Sequence, residues 1–96
     1  MADDEFREIA ELRKEIDRID GELIKLLAKR VAVVRRIGEL KRRQGLDVWD
    51  EARASEVMRS REGWAREAGL DGDFAKDLFD RIVSYCARVQ KRQSKS

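Results

Sequence analysis

Histidine and proline are missing altogether from these 96 residues, cysteine occurs once, and aromatic residues make up 6%. Without histidine there is no imidazole acid–base chemistry, no Ser-His or Cys-His nucleophile pair and no His-ligated metal site. The lone cysteine, Cys86, closes no intrachain disulfide and builds no thiolate cluster. No apolar run approaches the ~18 residues of a membrane span. The opening Met1-Ala2-Asp3-Asp4-Glu5 is acidic, so no signal peptide is expected and the chain reads as cytoplasmic, with no membrane partner.

What is present is charge, 44% of all residues, with 22 Lys+Arg against 20 Asp+Glu and a net of +2. Such near balance does not announce a nucleic-acid binder. A chain of this size builds one core, and a single helical domain over 1–96 is expected.

Without proline, and with Gly45 and Gly69 as natural stops, long stretches are free to be helical. Ile9, Leu12, Ile16, Ile19, Leu23, Leu26, Val33, Ile37 and Leu40 advance by threes and fours, the mark of one buried helical stripe. The pattern predicts an all-α chain with helices over about 4–44, 50–68 and 72–91 and a frayed basic tail over 92–96. Asp3 and Asp4 suit the first N-cap, Asp50 the second, and Asp71 or Asp73 the third. Gly63 weakens the second helix. The second carries its stripe on Val57, Met58, Arg61 and Ala65, and the third on Phe74, Leu78, Ile82, Tyr85/Cys86 and Val89.

The first helix would be on the order of 55 Å long. A compact monomer of this size is only roughly 30–35 Å across. Its own chain cannot wrap such a helix, so the expectation is an intertwined homodimer in which two copies bury each other's stripes. A hinge near Gly38, folding the helix back, is the monomeric alternative.

Counting on from Leu26 lands on Arg30, where the stripe calls for an apolar residue. A cation there needs an anionic partner to offset its desolvation. Lys41 returns to within ~20° of the same face about 16 Å along the axis, so two long cations can converge on one ligand. Arg13 lies about 25 Å from Arg30, too far to share a small molecule within one chain, and would serve such a site from a partner chain. Alternatively, all three are surface charges whose stems cover apolar area. On the residues alone, the set indicates an anion with more than one carboxylate or phosphate in a helical pocket.

The run Leu12-Arg13-Lys14-Glu15-Ile16-Asp17-Arg18-Ile19-Asp20, then Leu26-Leu27-Ala28-Lys29-Arg30, Ile37-Gly38 and Lys41 resembles the all-helical class of chorismate mutases, over residues about 8–91. The resemblance implies three helices, one very long, intertwined as a homodimeric bundle in which each of two sites borrows an arginine across the interface. It implies that Arg30 and Arg13 of the other subunit bind the two carboxylates of a small-molecule substrate. Lys41 would reach a carboxylate and the ether oxygen, and Gln90 would donate to that oxygen. Arg53 would line the site, the Asp50 backbone would help hold the ring hydroxyl, and Cys86 stands where the family often has a serine touching a carboxylate.

The implied activity is the pericyclic rearrangement of chorismate to prephenate, which belongs to aromatic amino-acid or related shikimate-derived biosynthesis. It is unimolecular and needs no nucleophile, proton shuttle, cofactor or metal. Ala54 departs from the family, which usually carries there a glutamate that accepts from the C4 hydroxyl, and Glu56 is turned ~200° away. That departure keeps two relatives open: isochorismate-pyruvate lyase, suggested also by Trp64 to Phe79, and 4-amino-4-deoxychorismate mutase. A non-catalytic module gripping nucleic acid or an acidic partner through Arg35, Arg36, Arg42, Arg43, Arg88, Lys91, Arg92 and Lys95 is the alternative of another class. No aromatic interleaves with those charges as a stacking platform would, so no nucleic-acid partner is expected.

Overall fold

The structure, a computed structural model, describes the backbone of residues 2–95 and the side chains of residues 3–93. Among these there are three helices and no strand: α1 (Ala2–Arg43), α2 (Glu51–Glu67) and α3 (Gly72–Lys95). α1 is unbroken through Gly38, so the hinge alternative is not adopted. It starts at Ala2, which places Asp3 and Asp4 inside the first turn rather than at the cap. There they face the positive end of the helix dipole, while Lys41, Arg42 and Arg43 occupy the negative end.

Two glycines end the first two helices by one mechanism. Gly45 and Gly69 have φ of +68° and +80°, the left-handed region that side chains with a Cβ resist. After α1, the Gly45 N–H donates to the Arg42 carbonyl and the Leu46 N–H to the Lys41 carbonyl. After α2, Gly69 donates to Arg66 and Leu70 to Ala65 in the same pattern. Both are Schellman closures, which satisfy carbonyls the helix end leaves without partners.

The N-termini are closed by aspartates. Asp50 Oδ1 accepts from the Arg53 N–H at 3.0 Å, and Asp71 Oδ1 accepts from the N–H groups of Asp73 and Phe74. Of the two candidates for the third cap, Asp71 takes the role and Asp73 lies in the first turn. α2 continues through Gly63 without a break. α3 runs past residue 91 to Lys95 instead of fraying, and Ser96 lies outside the described residues.

The chain divides into two units, residues 1–32 and 33–96. The first is a stretch of α1 alone. Its apolar side chains are exposed, from Phe6 at 70% through Ile9, Leu12, Ile16, Ile19, Leu23 and Leu26. No helix is long and apolar enough to cross a membrane, among the described residues.

In the second unit α2 packs along α3. The buried apolar residues are Val57 and Ala65 of α2 and Ala75, Cys86 and Val89 of α3. The line that α3 buries matches the expected one at Cys86 and Val89 and departs from it elsewhere: Phe74, Leu78 and Tyr85 are exposed, and Ala75 is inside. Small residues let two helices approach closely, and the large ones lie on a face that α2 leaves uncovered. Arg61 is half-buried, its guanidinium stacked over the Trp64 ring at 4.4 Å and the Phe79 ring at 5.8 Å, which links α2 to α3.

Candidate functional site

Within the second unit, α3 returns over the last turns of α1. The Gln90 Nε2 donates to the Val34 carbonyl at 2.9 Å, and three residues on the Gln93 Nε2 donates to the Arg35 carbonyl at 2.9 Å. In the reverse direction the Arg42 guanidinium donates to the Gln93 carbonyl at 3.1 Å, satisfying one acceptor of the last turn of α3. Gly38, buried between them, leaves the space through which the glutamines pass.

Lys41 shares that face of α1. Seven residues from Val34 turn the helix to within ~20° of the same direction. The lysine is half-buried and donates from Nζ to the Val48 carbonyl at 3.2 Å, which ties the α1–α2 connection down beside the start of α2. An ammonium has three donors, so this bond leaves two for a ligand.

At the start of α2, the Asp50 side chain is occupied as the N-cap, and its neighbour Trp49 donates from Nε1 to Glu51 at 2.8 Å. Arg53 lies exposed along the helix, paired with Glu56 at 2.7 Å. Glu56 is thus committed to an arginine, a second reason beside its direction for it not to replace the acceptor that Ala54 lacks. Ala54 itself is half-buried. On α3, Cys86 is buried, 5% exposed, one turn before Gln90 on the same face.

The second unit therefore carries Lys41, Asp50, Arg53, Ala54, Cys86 and Gln90. Arg13 and Arg30 belong to the first unit, Arg13 exposed and Arg30 half-buried. Sequence spacing indicated the cations, and the family resemblance Gln90, but neither pointed to the parts that hold Gln90, namely Gly38, Gln93 and the backbone carbonyls of Val34 and Arg35. One signal was available: a glycine inside a helix is unfavourable without a packing reason.

Chemically, Lys41 and Gln90 present hydrogen-bond donors beside each other's elements. Neither Gln90 nor a lysine cation is a base, so the arrangement suits holding an anion or an oxygen that gains negative charge, not proton abstraction.

Comparison with known proteins fits this chemistry. The chain is 35% identical over 75 residues to the T-protein of Haemophilus influenzae, covering 78% of this chain and 20% of that one. It is 33% identical over 86 residues to the 4-amino-4-deoxychorismate mutase of Streptomyces venezuelae, covering 90% and 84%. It is 26% identical over 87 residues to the chorismate mutase of Methanocaldococcus jannaschii, covering 91% and 88%. The chain spans between 20% and 25% of the length of several relatives that it matches, the T-protein among them. The family model for chorismate mutase type II matches residues 12–91, all of α2 and most of α1 and α3, and the chain belongs to that family.

Proposed function

We propose that the protein rearranges chorismate to prephenate. The observation that carries this is the meeting of Gln90 with the face of α1 that also bears Lys41, two donors and no base. The substrate is a flexible dianion whose ether C–O bond breaks as a new C–C bond forms. Arg30, together with Arg13 of the partner subunit, would bind its two carboxylates and hold the folded, reactive conformer, where guanidinium forks supply direction as well as charge. Lys41 and Gln90 would donate to the ether oxygen, whose charge grows in the transition state, so that their bonds strengthen as the reaction proceeds.

The homodimer this requires is supported by the uncovered stripe from Phe6 to Leu26. Charge along α1 supports it too. The first turns carry Asp3, Asp4, Glu5, Glu8 and Glu11, and the last carry Arg35, Arg36, Lys41, Arg42 and Arg43. Two copies running in opposite directions set each acidic end beside a basic one. The proposed location is the cytoplasm, and the proposed role is in the biosynthesis of aromatic amino acids or related shikimate-derived compounds.

A second substrate, 4-amino-4-deoxychorismate, is favoured by Ala54, which cannot read a C4 hydroxyl, and by the Streptomyces venezuelae relative of similar length. Incubation of the purified protein with chorismate, isochorismate and 4-amino-4-deoxychorismate in parallel separates the readings. Prephenate as the fastest product supports the first, aminated prephenate the second, and salicylate with pyruvate overturns both in favour of a lyase. No turnover of any of the three refutes the enzymatic assignment.

A further inference from the structure

Gly38 sits inside α1 with ordinary helical backbone; of the glycines, only Gly45 and Gly69 have positive φ. Its conformation therefore does not require glycine. Its surroundings do: a Cβ at this position would stand 3.2 Å from Gln90 Cγ, 3.6 Å from Gln90 Nε2 and 2.9 Å from Gln93 Oε1. The Gln93 oxygen is the end of a flexible side chain; moving it strains the bond from Gln93 Nε2 to the Arg35 carbonyl but displaces no group assigned to the substrate. Gln90 Cγ is mid-chain, and displacing it displaces the amide beyond it.

That amide is otherwise fixed. The Val34 carbonyl already accepts the Gly38 N–H within the helix, and its second lone pair takes Gln90 Nε2 at 2.9 Å. A carbonyl only accepts, so it selects the NH2 end of the amide and prevents the flipped orientation. One N–H is spent on α1, and the remaining N–H is left with a defined direction.

We infer that Gly38 is a positioning residue: the gap it leaves, with the Val34 carbonyl behind it, holds the Gln90 amide as an oriented donor. This rests on the assignment of Gln90 to the ether oxygen made above. Misplacement of a catalytic group by ~1 Å can cost up to about 100-fold in rate. Gly38→Ala should therefore lower kcat roughly 10- to 100-fold and leave KM for chorismate within about two-fold, because the cations that bind the carboxylates are untouched.

Gly63→Ala, also a helix-interior glycine but with nothing within 4 Å of its added Cβ, should change neither constant. The double variant Gly38→Ala/Gln90→Ala should be no slower than Gln90→Ala alone, since the methyl acts only through that amide. Losses that multiply, or a rise in KM with kcat unchanged, would overturn the inference. If Gln90→Ala lowers kcat but Gly38→Ala does not, the inference fails and the site assignment stands; if Gln90→Ala leaves kcat intact, the assignment itself fails. Should Gly38→Ala not fold, the wild-type protein still decides: nuclear Overhauser contacts between the Gln90 side-chain amide and the Gly38 α-protons are expected, and their absence would refute the clasp.

Discussion

Lys41 reaches Val48 with one of its three donors and Gln90 reaches Val34 with one of its two, so both are held by backbone while retaining a free N–H. Prepositioned donors of this kind are worth most where charge develops, and removal of one typically costs about 10²–10³ in kcat. Arg30→Ala and Lys41→Ala should each lose at least that much turnover while remaining folded, measured by prephenate formation and circular dichroism. Because Gln90 is neutral, its donor survives from acid to mildly basic pH. A Gln90→Glu variant donates only while its carboxyl is protonated, so its rate should be highest at low pH and fall as pH rises through that group's titration, a profile the wild type should lack. Ala54→Glu should raise chorismate turnover if the missing acceptor limits it; an unchanged rate removes Ala54 from the question of substrate. The cations were legible in the sequence because Arg30 interrupts an apolar period. The grip on Gln90 was not, since Val34 and Gln90 are 56 residues apart and meet only through the return of α3.

At the scale of helices, local chemistry decides where each element starts and stops, and this was the most legible part of the sequence. Asp50 and Asp71 bond N–H groups that the first turn cannot satisfy, and Gly45 and Gly69 close the ends. Asp71→Ala should destabilise the protein by about 1 kcal/mol, the usual loss of an N-cap. Gly69→Ala forces a Cβ into left-handed backbone and should cost roughly 1–2 kcal/mol. Gly63→Ala, in an exposed helix interior, should instead stabilise by roughly 0.5–1 kcal/mol. Urea unfolding of the three variants at one protein concentration checks both the signs and the order. Less legible was which side of α3 turns inward. Periodicity marks an apolar face but not the neighbour's size: Cys86 and Val89 are buried as their period predicts, while Ala75 is inside and the bulkier Phe74, Leu78 and Tyr85 stay outside.

For the whole molecule, the decisive feature is a helix whose large apolar residues Ile9, Leu12, Ile16, Ile19, Leu23 and Leu26 remain exposed over the first 32 residues. Helices in water draw most of their stability from packing of such a face, and contiguous exposed apolar surface marks an interaction site. If a second copy covers it and Arg13 crosses the interface, each site takes Arg13 from one subunit and Lys41 from the other. Arg13→Ala and Lys41→Ala are then each nearly inactive alone. Refolded together, they form mixed dimers in which one site combines both substitutions and the other has neither. Random pairing makes half the dimers mixed, each with one intact site of two, so about a quarter of wild-type activity should return. Leu23→Glu places a carboxylate in the stripe and should shift sedimentation toward monomer while abolishing turnover. Recovery depends on a residue crossing between chains: if mixing restores nothing although sedimentation shows dimers, Arg13 does not serve the partner's site.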